Sequence, residues 1–143
     1  MTETTSLNQE AILQYQNEFR NIFLIVLENE KNDMQTTLAE YKPDEKFDSD
    51  FDKYFDYTIF MIENRGFGHL NKENKLTNKK INGLNAKHLQ STHLTAEGMI
   101  HFNIALIEGT GRYYQVITWT IANKEFQNKA DMEMMVDSFT EIK

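Results

Sequence analysis

The sequence predicts an α+β fold in which an antiparallel β-sheet is sandwiched by helices, an α/β/α sandwich. Three observations carry this expectation. The run Ile22–Leu27 is apolar at every position. Residues 86–122 alternate through three strands separated by short turns. Helical stripes lie on either side of those strands. The 143 residues amount to one domain, long enough to bury a core without metal or disulfide staples. The whole chain, 1–143, therefore reads as a single unit with no Gly/Ser/Pro linker and no internal repeat.

Residues 11–16 and 22–27 read as a hairpin around Asn17–Asn21. Six consecutive apolar residues leave a helix no polar face, whereas a central strand covered on both sides accommodates them. Residues 31–41 read as a helix. Asp50–Asn64 reads as a stronger one, because Phe51, Tyr54, Phe55, Thr58, Ile59 and Ile62 fall on one stripe. Ser49 and Asp52 resemble a capping pair, Asp48, Asp50 and Asp52 suit the positive end of the helix dipole, and Gly66 marks the stop. The polar stretch Asn64–Asn85 reads as a long mobile loop.

Ala86–Leu94, Met99–Ile107 and Tyr113–Ala122 read as the three strands, with hairpin turns at 95–98 and 109–111. Both faces of these strands carry apolar side chains, so helices are expected on both. The final element, Lys129–Ile142, reads as a helix with Met132, Met135, Val136 and Phe139 inward.

Composition excludes several classes of function. A formal net charge of −7 opposes a phosphate backbone, so nucleic acid is not an expected partner. The chain has no cysteine, which removes disulfides, thiolate metal sites and Cys nucleophiles. No run approaches the ~18 apolar residues of a membrane span. Residues 2–10 are polar and lack the basic start and apolar centre of a signal peptide.

Individual motifs invite chemistry and then fall short of it. Asp48, Asp50 and Asp52 have the spacing that opens a calcium loop, but Lys53 and Ile59 stand where that loop needs Gly and Glu. His88, His93 and His101 lie on adjacent strands, yet a regular turn at 95–98 pairs His93 with Ile100 and leaves His88 and His101 about four residues apart along a face. Gly109-Thr110-Gly111 precedes a strand, whereas a phosphate loop needs a helix there. Ser91 and His93 share a face, but His88 does not, and no acidic orienter is evident. Neither metal nor cofactor is expected, and the protein reads as non-catalytic. Two surface features remain as candidate partner-binding sites. One is Arg112 beside Tyr113 and Tyr114, taken as an exposed recognition spot. The other is the acidic segment around Asp48, Asp50 and Asp52, which would steer a basic partner.

The block Leu-Asn-Gln-Glu-Ala-Ile-Leu-Gln-Tyr-Gln-Asn (7–17), the Phe-Leu-Ile-Val strand after it, Ile-Asn-Gly-Leu (81–84), Gly-Arg-Tyr-Tyr-Gln-Val-Ile-Thr-Trp-Thr (111–120) and the closing Val-Asp-Ser-Phe (136–139) resemble bacterial PsbP-like or DcrB-like domains. The resemblance spans most of the chain and rests on structural motifs. It implies an α/β/α sandwich that works by binding, as in the PsbP subunit of photosystem II, the Ran-binding protein Mog and many bacterial lipoproteins. It implies an unknown protein partner and an extracytoplasmic, lipoprotein-like setting, with the cytoplasm as the alternative. A small-molecule pocket between sheet and helices is the other functional reading. The start departs from the pattern: family members carry a further strand before Leu7, and bacterial ones often a signal peptide.

Overall fold

The apolar run beginning at Ile22 lies inside a sheet, between two other strands. A computed structural model describes residues 2–4, 7, 11–64 and 76–141. These form β1 (Thr2–Glu3), β2 (Leu13–Asn17), β3 (Ile22–Glu30), α1 (Lys31–Glu40), α2 (Asp50–Ile62), β4 (Thr77–Ile81), β5 (Leu84–Thr95), β6 (Gly98–Glu108) and β7 (Arg112–Ile121). A 3-10 turn over Ala122–Lys124 leads into α3 (Glu125–Asp137). The seven strands make one antiparallel sheet in the order β1-β2-β3-β7-β6-β5-β4.

The hairpin of β2 and β3 turns at Asn21, whose φ of 57° is one that Asn tolerates better than most residues. Its side chain also fixes the neighbouring strand, because Oδ1 accepts from the Ile121 amide at 2.6 Å. In α2, Ser49 caps the helix as expected and accepts from the Asp52 amide at 3.1 Å. The stripe Phe51, Tyr54, Phe55, Thr58 and Ile59 is buried, as its spacing requires. The turn at 95–98 sets Leu94 opposite Met99 and His93 opposite Ile100, the register the sequence implied.

Three boundaries differ from the sequence reading. The polar stretch 64–85 contains a strand: β4 pairs with β5 around Asn82 and Gly83, both at positive φ (48° and 86°). Its polarity reflects its place at the sheet edge, where only Ile81 is buried. The rest of the expected loop, residues 65–75, with the helix stop at Gly66, lies outside the described residues. At the start, Thr2 and Glu3 pair with Gln16 and Tyr15, so a short strand does precede the Leu7–Asn17 block. The last helix begins at Glu125, four residues before the expected start at Lys129, and ends at Asp137. Phe139 still packs on Tyr114 beyond the helix end, at 4.9 Å between ring centres. Ile142 lies outside the described residues.

Helices lie on both faces. Met34 and Leu38 of α1 and Phe51, Tyr54, Phe55 and Ile59 of α2 pack on Leu89, Ile104, Leu106 and Tyr113. On the opposite face, Val136 of α3 packs among Leu24, Val26, Ala105, Ile107 and Val116. That second face also holds a row of buried polar side chains. Asn128 of α3 donates to Thr120 Oγ1 and to the Arg20 carbonyl, each at 2.9 Å. His88 Nε2, Asn103 Oδ1 and Thr118 Oγ1 are buried there without a hydrogen-bond partner.

Candidate functional site

The two helices α1 and α2 cover only part of their face. The 13 residues of α2 span roughly 20 Å. The 11 residues of β6 extend about 35 Å beneath it. Under the helices, Leu106 and Leu89 are fully buried. Further along the same rows, Phe102, Ile117, Trp119 and Phe23 are only half-buried, although they sit on central strands. This part of the sheet, which neither α1 nor α2 covers, floors a cavity of about 520 Å³. Its volume falls within the range of small-molecule sites.

Aromatic rings dominate the floor. Phe23 stacks on Trp119 at 5.4 Å and 15°, and Phe102 lies 6.1 Å from the same indole. Ile25, Ile100, Ile104 and Ile117 complete the apolar surface. The polar groups sit at the margins: Asn21, Thr95 and Glu97 at the turn end, His93 on β5, and Gln115 toward the helices. Gln115 Nε2 donates to the Tyr54 hydroxyl at 3.1 Å, and that hydroxyl donates to Asn29 Oδ1 at 2.8 Å. A smaller cavity of about 160 Å³ adjoins the first and shares Leu27, Ile62 and Gln115 with it.

Ser91 and His93 meet at one side of the cavity, with Oγ 2.6 Å from Nε2. They share a face because they are two residues apart on one strand. Burial lowers the His93 pKa from its ordinary 6.5, and the carboxylate of Glu63 opposes that shift. The imidazole is therefore neutral near pH 7. His88 faces the opposite side of the sheet, where burial also lowers its pKa and its neighbour on the partner strand is Ala105. His101 lies across from Thr92, with Nδ1 3.0 Å from the threonine hydroxyl and Nε2 3.4 Å from Glu125. Among the described residues, no group of three His, Asp or Glu side chains is placed to hold a metal ion.

The structure separates the candidate partner-binding residues. Tyr113 is a correction: the ring counted with Arg112 in the recognition spot is 3 % exposed, stacked at 4.1 Å on Tyr54 inside the core. Alternation along β7 puts it on the face that α1 and α2 cover, while Tyr114 is buried on the other. Burial pushes both phenols up to about 12. Arg112 remains exposed, but it pairs with Glu28 at 3.3 Å and Glu30 at 3.5 Å across β3. Asp48 and Asp50 are exposed at the start of α2, whereas Asp52 pairs with Lys87 at 2.8 Å. The turn at 109–111 does hold an anion, an internal one. The Glu141 carboxylate accepts from the Thr110 amide at 3.0 Å and from its hydroxyl at 2.8 Å.

Solved structures place this architecture. Cyanobacterial PsbP from Synechocystis sp. PCC 6803 matches with a TM-score of 0.62 at 12 % identity, over 99 % of this chain and 80 % of that one. The fold is PsbP-like. A protein of unknown function from Pseudomonas aeruginosa, PA94, shares this PsbP-like fold with a TM-score of 0.56 at 12 % identity, over 85 % of this chain and 74 % of that one. No family model matches the sequence, and no curated protein matches it. Among the described residues, no helix is long and apolar enough to cross a membrane.

The apolar cavity was missed as a set of residues. Each strand showed inward-facing apolar side chains, but nothing in the alternation of β6 or β7 marks where helix cover stops.

Proposed function

We propose that this protein is a non-catalytic binding domain whose site is the part of the sheet that α1 and α2 leave open, and that its occupant is a small apolar molecule. The observation that supports the reading is the group of half-buried rings, Phe23, Phe102 and Trp119, on central strands around a cavity of about 520 Å³. Large side chains at the middle of a sheet normally lie under cover, and the size of the space suits a compact guest. The polar groups are few and confined to the margins, which is the usual division of labour in such pockets.

The single tryptophan of the chain is Trp119, so its emission reports on the site alone. The test is titration with uncharged N-phenyl-1-naphthylamine, read by energy transfer from Trp119. Saturable transfer is expected, and an Ile117→Phe variant, which fills the cavity, should weaken it while its circular dichroism stays native. Transfer that does not saturate, or that survives the filling unchanged, overturns the reading.

A second reading, a basic protein partner steered by the acidic segment, is favoured by the exposure of Asp48 and Asp50. Replacing both with Asn leaves the Ser49 cap in place. Partner association whose affinity and salt dependence are unchanged by that double replacement would sink it.

A further inference from the structure

We infer that the occupant of the sheet cavity is a cationic amphiphile, an apolar body bearing an ammonium group, rather than a fatty acid or other anion. This rests on the proposed reading of the cavity as a binding site, and three observations carry it.

The first is the sign of the charges. Among the described residues lining the cavity, Glu97 is the only charged side chain and none is Lys or Arg. Glu63, at the end of α2, adds a second negative field, felt at His93. His93 itself is neutral near pH 7, because burial lowers its pKa. A carboxylate ligand would thus meet the like charge of Glu97 at the described margin, while an ammonium would meet its complement.

The second is hydrogen-bonding capacity. Gln115 directs its amide N–H to Tyr54, which leaves its carbonyl oxygen as an acceptor on the cavity side. The Thr95 hydroxyl contacts both Glu97 Oε2 and the Gly98 carbonyl, at 3.2 and 3.0 Å. The Gln115 carbonyl therefore offers an acceptor to a donating head group at the margin.

The third is the floor. The faces of Trp119, Phe23 and Phe102 carry the negative side of the aromatic quadrupole. Aromatic rings beside a carboxylate form the surroundings in which ammonium groups are held. The net charge of −7 works in the same direction by attracting cations toward the molecule.

The experiment displaces N-phenyl-1-naphthylamine with three matched competitors: 4-phenylbutylammonium, 4-phenylbutanol and 4-phenylbutanoate. The ammonium is expected to compete roughly 10-fold more strongly than the carboxylate, with the alcohol between them. In a Glu97→Gln variant the ammonium should lose several-fold while the alcohol is unchanged. A parallel Glu63→Gln variant reports the second field. A carboxylate that competes as well as the ammonium overturns the inference, and so does an ammonium preference that survives both replacements. Dye that binds but yields to none of the three also overturns it while leaving the apolar site standing. Dye that does not bind at all removes both.

Discussion

Removing one oxygen from Tyr54 tests how the helix layer is locked to the sheet beside the cavity. The Tyr54 side chain is fully buried, and its hydroxyl lies between two strands, donating to Asn29 on β3 and accepting from Gln115 on β7. Tyr54→Phe keeps the ring on Tyr113, 4.1 Å away, so the stacking is preserved and only the hydrogen bonds of the hydroxyl go. Leaving a buried partner unpaired costs about 1–3 kcal/mol each. Both partners line the adjoining cavity of about 160 Å³, however, where water can replace the hydroxyl. The net loss is therefore expected near the low end, about 1–2 kcal/mol in total. With a urea dependence of about 1–3 kcal/mol/M, the unfolding midpoint should fall by roughly 0.3–2 M. A double-mutant cycle with Gln115→Ala should show coupling of about 0.5 kcal/mol or more. A midpoint unchanged by Tyr54→Phe, or two losses that simply add, would refute the hydroxyl as a link between helix and sheet.

Two further outcomes follow from other positions. Asn21→Ala should destabilise more than Asn21→Gly, because both lose the bond to the Ile121 amide but only Ala must also hold a φ of 57°; equal urea midpoints for the two would remove backbone strain from the account. His88 has its pKa lowered from 6.5 chiefly by burial, with Lys79 adding to the shift and Glu133, Asp137 and the neighbouring Asn103 side chain opposing it. The unfolded chain thus takes up a proton that the native state resists, so stability is complete above about pH 6.5 and falls as pH drops below it. Urea midpoints at about pH 7 and about pH 5.5 should differ less in His88→Gln than in the parent protein, and an identical difference would exclude His88 as a source.

Much of the fold was legible because its signals are local. The capping pair of Ser49 with the Asp52 amide, the stripe from Phe51 to Ile59 and the register set by the 95–98 turn each depend on residues within about three helical turns or one hairpin. The strand β4 was missed although Asn82-Gly83 is the strongest short hairpin signal: the lysines and asparagines before it looked like loop, because an edge strand need not be apolar. The start of α3 was hidden for a related reason. Its first inward residue, Asn128, is polar and earns burial through hydrogen bonds to Arg20 and Thr120, so no apolar stripe could announce it. Tyr113 was misplaced because an aromatic pair beside an arginine reads the same whether the rings face solvent or core. The cavity depends on how far α2 reaches over the sheet, a property of two elements together that neither strand pattern nor helix stripe contains.

The strand order has a kinetic consequence. Among the described strands, every pairing but one joins neighbours in the chain; the exception is β3 with β7, where Phe23 meets Trp119. The β2–β3 hairpin and the β4–β7 meander can each form from nearby residues, whereas this seam must close a loop spanning most of the chain. Such long closures slow folding. The floor of the cavity is laid across the seam, with Phe23 and Ile25 on one side and Ile117 and Trp119 on the other. The site therefore comes into being when the two halves of the chain zip together, and it is lost as soon as they part. A guest resting on both sides acts as a clasp, and its grip should register as a slower rate of unfolding.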